Sequence, residues 1–226
     1  MGVAGAFYRT AVEPLAFGSG RRLTTGAWEF TMELQVKYED WLVGDGDEPV
    51  IVGSPRWVTL ELERDGPVTP DDWHPILTPS SAPRSGLWPI EGKPGRHRLV
   101  GDVVMDDSSL VGIEAGGWRV AAGGRHSGRV EGRVVLNHDT YFFDDGLREF
   151  ATQRVEIAAI EYLPGRYRRS RFDRHSYDFV EWGTARSVTS THELGTTLMH
   201  QTTELNNGLI EKVGSGIFVL TCRRPA

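Results

Sequence analysis

The chain has one cysteine, three lysines and no long apolar run, and each shortage excludes something. Cys222 has no second cysteine to pair with, so no intramolecular disulfide can staple the fold. A reducing compartment, the cytoplasm, is the expected location. No window approaches about 18 uninterrupted apolar residues, so neither a membrane-spanning helix nor a membrane partner is expected. Met1 to Arg22 lacks the apolar stretch behind a basic flank that marks a secretory signal. Lys37, Lys93 and Lys212 are the only lysines among 25 basic residues, and the other 22 are arginines. Codon bias in a GC-rich genome accounts for that imbalance; a bidentate grip on phosphate or carboxylate is the functional alternative. A formal net charge of -6 argues against a dedicated nucleic-acid binder, which draws affinity from a basic field.

Chemical motifs are equally scarce. His192-Glu193 begins like a zinc-protease helix, but Thr196 stands where the second histidine is required. The seven histidines make no recognised ligand spacing. Asp45, Asp47 and Glu48 resemble the start of a calcium loop, yet the stretch that must supply its bidentate glutamate is the apolar Ile51–Trp57 region. Gly214-Ser215-Gly216 lacks the third glycine and the lysine of a phosphate-binding loop, and Ser215 has no Gly-x-Ser-x-Gly context. Cys222, in an apolar run before Arg223 and Arg224, reads as a buried structural thiol. No metal and no cofactor are therefore expected.

What the chain does have is β-strand patterning. Trp28, Phe30, Met32, Leu34, Val36 and Tyr38 occupy every second position, with Glu29, Thr31, Glu33, Gln35 and Lys37 between them. Strand side chains alternate between faces, so this run is a strand with one buried and one wet side. Val58, Leu60 and Leu62 alternate with Thr59, Glu61 and Glu63 in the same way. Further strands are read at Leu99–Met105, Ser109–Glu114, Trp118–Ala121, Val130–Asn137 and Ile217–Cys222, with a bulge or a close backbone approach at Gly132. Asn206-Asn207-Gly208 is a hairpin turn between Thr196–Leu205 and Leu209–Val213. Leu147 to Tyr162 fits both a helical stripe capped by Asp144 or Asp145 and a strand from about Arg154 to Leu163-Pro164-Gly165; the β surroundings favour the strand.

The expected fold is therefore mainly β: an antiparallel β-barrel or two-sheet sandwich with few or no helices and a long proline-rich loop. Residues 1–25 are an N-terminal arm and residues 26–226 a single β domain, or two β lobes divided near residue 124. At 226 residues such a domain buries about 70% of its unfolded surface and needs no staple. Seven of the 12 prolines fall between Pro67 and Pro94, where regular ladders are not expected. Trp73, Ile76, Leu77, Leu87, Trp88 and Ile90 in that stretch mark residues 66–98 as a lid pinned to the core rather than a free linker.

Tyr38-Glu39-Asp40-Trp41, then Pro49-Val50-Ile51-Val52-Gly53, then Trp57-Val58-Thr59-Leu60 give a Trp, a Pro-x-x-Val-Gly and a second Trp-led strand. This spacing resembles an actinobacterial β-domain family of unknown function, with Gly128-Arg129-Val130 and Arg154-Val155-Glu156-Ile157 similar to its later strands. The resemblance covers about half the chain and implies fold and source only.

Three functional readings follow. The leading one is a non-catalytic binding or interaction module of unknown protein or small-molecule ligand, with self-association left open. Trp73 and Trp88 are its candidate platform, since aromatic rings on a β surface hold ligands and partners. The second is a hydrolase or isomerase with a dispersed site, using His138 as general base beside Asp139, Asp144 and Asp145. The third is a nucleic-acid or polyanion binder through residues 166–177, where Arg166, Arg168, Arg169 and Arg171 interleave with Tyr167 and His175. Strand alternation would divide that strip, with Arg166, Arg168 and Ser170 on one face and Tyr167, Arg169 and Arg171 on the other.

Overall fold

A computed structural model describes residues 33–39, 42–43, 48–66, 74–107, 109–138, 145–171, 177–193, 202–205 and 207–225. Thr31–Ala226 forms one compact unit. Its strands are β1 (Leu34–Glu39), β2 (Pro55–Arg64), β3 (Leu77–Pro79), β4 (Gly86–Pro89), β5 (Arg96–Asp107), β6 (Leu110–Ala115), β7 (Trp118–Gly123), β8 (Arg129–His138), β9 (Thr152–Arg169), β10 (Tyr177–Trp182), β11 (Arg186–Val188), β12 (Thr202–Glu204) and β13 (Ile210–Arg223). Helix α1 spans Asp145–Ala151, and a 3-10 turn covers Thr191–Glu193. The protein is mainly β, as its alternation implies. No helix among the described residues is long and apolar enough to cross a membrane.

All the strands belong to one sheet whose pairings return on themselves. The path runs β10-β9-β13-β1-β8-β2-β7-β6-β5-β4, and β9 also pairs with β2 while β8 also pairs with β5. Two circuits therefore close: β9-β13-β1-β8-β2 and β8-β2-β7-β6-β5. Both use the β2–β8 ladder, in which Leu60 to Arg64 face His138 to Val134. Pairing is antiparallel except at Lys37–Asn137 and at Glu61–Ala121 and Leu62–Ala122, which are parallel. Strands from both sides of Gly124 interleave, since β2 pairs with β8 and with β9.

Alternation explains which side chains fill the centre. Leu34, Val36 and Tyr38 of β1 are fully buried, while Gln35, Lys37 and Glu39 are half-buried on the other side. Val58, Leu60 and Leu62 join them, with Leu99, Ile113, Val120, Leu136, Ile157, Tyr162, Phe218 and Leu220. Each such side chain contributes about 1.5–3 kcal/mol on burial. Strand β2 is unusual in burying its polar face too: Thr59 and Glu61 are as hidden as their neighbours. Helix α1 lies against β7, β2 and β6 and packs Leu147 and Ala151 on Ala121. Thr152 Oγ1 donates to the Arg148 carbonyl at 2.7 Å and pairs with Thr59 Oγ1 at 2.8 Å, which ends the helix and ties it to β2.

Four local expectations need correction. Residues 145–162 contain both alternatives in sequence, a seven-residue helix and then a strand. That strand does not stop at Leu163-Pro164-Gly165 but runs through to Arg169, because Pro164 uses its carbonyl, accepting from Gly183 N–H at 2.7 Å, where no donor is required of it. The proline-rich segment carries ladders after all. β3 pairs with β8 and β4 with β5, with Pro79 and Pro89 at the strand ends. The final strand begins at Ile210 rather than Ile217, with a register shift between Lys212 and Ile217 that absorbs the glycine-rich step.

At Gly132 the close approach is real: a Cβ there would stand 2.6 Å from the Ile76 carbonyl oxygen. Gly132→Ala should lower stability by about 1–3 kcal/mol in urea unfolding, because β3 cannot move off without breaking its own pairing. An unchanged midpoint would show that β3 is not seated on β8.

His97, fully buried, holds the turn before β5 against β1. Its Nε2 accepts the Gln35 backbone N–H at 3.3 Å and its Nδ1 lies 3.2 Å from the Gly95 carbonyl. That arrangement requires neutral imidazole with the proton on Nδ1. Burial pushes the ring down to about 4 from 6.5. The unfolded chain therefore binds the proton first, so His97's contribution is complete above about pH 6.5 and is lost as pH falls toward 4. The loss is on the order of 3 kcal/mol at most. Urea midpoints of the wild type should fall across that window; His97→Leu should start lower at neutral pH and show less of the fall. Parallel pH profiles would refute the assignment.

Candidate functional site

The far half of β9 leaves the closed circuits and builds an outlying sheet. Gly165 to Arg169 pair with Trp182 to Tyr177 of β10 on one edge, and Gly165 to Tyr167 pair with Lys212 to Ile210 of β13 on the other. β12 adds a fourth strand through Thr202–Lys212, Thr203–Glu211 and Glu204–Ile210. Every residue of β12, and all of β10 but Tyr177, is exposed. The register fixes which side chains share a face, and the side-chain contacts agree with it.

One face is a charge network. Arg166 donates from Nε to Glu211 at 3.2 Å and from Nη1 to Glu181 at 3.1 Å. Glu211 also accepts from Arg186 Nη2 at 2.6 Å. These carboxylates raise the Arg166 guanidinium above its usual range. Gly183 packs closely here, since a Cβ would come within 2.8 Å of both Glu211 Oε2 and Pro164 Cγ. These four charges are paired with one another.

The opposite face is aromatic. Tyr167 meets Phe179 edge-on with ring centres 5.8 Å apart, and Phe179 meets Trp182 at 4.6 Å. The Lys212 ammonium lies 4.1 Å from the centre of the Tyr177 ring and 5.3 Å from that of Tyr167, within cation–π range. Phe179 is 48% exposed and Trp182 38% exposed, so neither ring is used up by the core. Arg169, opposite Tyr177, completes the face. Arg168, Arg169, Arg171 and Lys212 form no ion pair among the described residues.

The arginine strip is thus divided as alternation requires. Arg166 is committed to glutamates on one face, while Tyr167 and Arg169 stand on the other; Arg168 shares the side of Arg166, and Arg171 lies just past the strand. His175 lies outside the described residues. Phe179 and Lys212 were not candidates from sequence. The usable signal was the Tyr177-x-Phe179 alternation after the arginine run, which gives a second aromatic strand for β9 to pair with.

Of the tryptophan platform expected of the lid, Trp88 stands at the third position of β4. That residue is half-buried, its ring folded over Gly86, where a Cβ would come within 2.6 Å. Trp73 lies outside the described residues. The turn between β4 and β5 does overhang the sheet, with a cleft of about 550 Å³ on one side and about 540 Å³ on the other. Ile90 and Lys93 line both.

The candidate base His138 is 4% exposed and stacks on the buried Tyr38 ring, centres 5.5 Å apart and planes 7° from parallel. Its Nδ1 lies 3.2 Å from both the backbone nitrogen and the carbonyl of Thr59. Such a ring is positioned for packing rather than for meeting a substrate. Asp145 is exposed at the first turn of α1, where a carboxylate suits the helix dipole. Asp139 and Asp144 lie outside the described residues. Among the described residues no cluster of three or more histidine, cysteine or acidic side chains is placed to hold a metal. Burial pushes the Cys222 thiol up to about 12, which leaves it protonated and inert.

No protein-family model, no curated protein and no solved structure matches the chain. The reading of function therefore rests on the geometry above.

If His138 is a packing residue, His138→Ala should cost about 2–5 kcal/mol in urea unfolding, the range for deleting a large core side chain. A stable variant would return the ring to the list of candidate bases.

Proposed function

We propose that the protein is a non-catalytic binding module whose ligand lies on the aromatic face of β9, β10 and β13. The observation that carries this reading is the exposed Phe179–Trp182 pair, extended by Tyr167 and Tyr177 and flanked by Lys212 and Arg169. Large rings exposed together on a sheet cost solubility unless a ligand covers them, and aromatic residues carry a disproportionate share of binding energy at interfaces. The enzyme reading draws little support from His138, whose ring is spent on Tyr38. The buried, unpaired thiol of Cys222 is compatible with a cytoplasmic setting.

The test is a screen of the purified protein against immobilised oligonucleotides, glycans and peptides, run beside the double variant Phe179→Ala, Trp182→Ala. At least one ligand class should be retained by the wild type and lost at least tenfold by the variant. Binding that is identical in both proteins would put the ligand surface elsewhere and end this reading.

A further inference from the structure

We infer that the ligand of this aromatic face is a single strand of nucleic acid. The inference rests on the binding-module reading and names its ligand class. Two properties of the face are required together. Its rings offer flat apolar surfaces, which suit any base because every base has a π-face. Its cations lie beside those rings and are not neutralised: Lys212 sits against Tyr167 and Tyr177, and Arg169 stands opposite Tyr177. Glu181 and Glu211 are occupied by Arg166 and Arg186 on the other face, which Asp178 shares; Glu204, opposite Ile210, stands on the aromatic face but forms no ion pair with these cations among the described residues. A heavily sulfated glycan satisfies the cations, but its crowded, hydrated sulfates hinder its sugar faces from stacking on the rings. An apolar peptide would satisfy the rings but not the cations. A duplex keeps its base faces stacked inside, out of reach of side chains standing on an open sheet.

The whole-chain charge of -6 limits the electrostatic share. Two or three phosphate contacts, from Lys212, Arg169 and a neighbouring arginine, give a slope of log affinity against log salt of about -1.5 to -2 for a single strand. Most of the affinity must then come from stacking, which contributes a factor of roughly 5 to 150 per base.

Fluorescein-labelled oligo(dT) and oligo(rU) of about fifteen nucleotides are titrated by anisotropy, with circular dichroism melting of each variant as the folding control. The expected result is binding with that shallow salt slope, lost at least tenfold in Trp182→Ala and in Phe179→Ala. Binding should be weakened in Lys212→Gln and unchanged in Trp57→Ala, an exposed tryptophan on β2. Duplex of the same sequence and heparin should fail to compete. Equal affinity in Trp182→Ala, effective competition by heparin, or no binding at about 50 mM salt would each overturn the inference. If oligonucleotides fail while a glycan or peptide signal still depends on Phe179 and Trp182, the binding surface stands and only the ligand class is wrong. If nothing depends on those rings, both readings fall.

Discussion

Everything in this fold leans on the β2–β8 ladder. It is the one run of hydrogen bonds common to both closed circuits of strands, so β2 has neighbours along both edges and cover on both faces. A strand in that position cannot keep a wet side. The burial of Thr59 and Glu61 follows from this, as does the placement of α1, which covers the face that would otherwise present polar groups to nothing. The hydroxyl pair Thr59–Thr152 and the buried imidazoles of His97 and His138 are among the polar contents of a core that has little room for them, and each of these is hydrogen-bonded or stacked.

From this rigid centre β9 reaches outward. Its 18 residues begin on β2, continue along β13 and end beyond the reach of β1, where only β10 and the start of β13 pair with it. The register gives this outlying sheet two faces of opposite chemistry. The Arg166–Glu181–Glu211–Arg186 network occupies one face, and the rings with Lys212 and Arg169, joined by Glu204, occupy the other. Among the described residues β10 pairs only with β9, and an edge left unpaired invites another chain to add to it. Its register shift between Phe179 and Glu181, with Asp178 and Glu181 on the strand, blunts that edge.

Much of the fold was legible because period-two patterns survive any arrangement of the sheet. Leu34, Val36 and Tyr38 point inward whether their strand pairs with β13 or with anything else, and Gly132 announced a crowded backbone without saying whose. Pairing partners were not legible. Nothing local in Leu34 names Cys222, and nothing in Thr59 announces that both faces of its strand will be covered. The same limit explains the site. The alternation of residues 166–171 was correct, but a face acquires meaning only from the strand laid beside it. Trp88 and Trp182 are indistinguishable as letters, and only pairing leaves one folded over a glycine and the other exposed beside Phe179.

The pairing of β1 with β13 has a kinetic consequence. Leu34 meets Cys222, so the first circuit is closed by two strands separated by nearly the whole described chain. Contacts of such sequence separation cost loop-closure entropy before they return any stability, which makes this a slow-folding topology. During synthesis the edge of β1 must wait for almost every later residue to emerge. Until then its fully apolar face has no permanent partner, and the nascent chain's hold on solubility in that interval depends on the strands that can pair early, the β5–β6–β7 meander and the β8 strand that follows it.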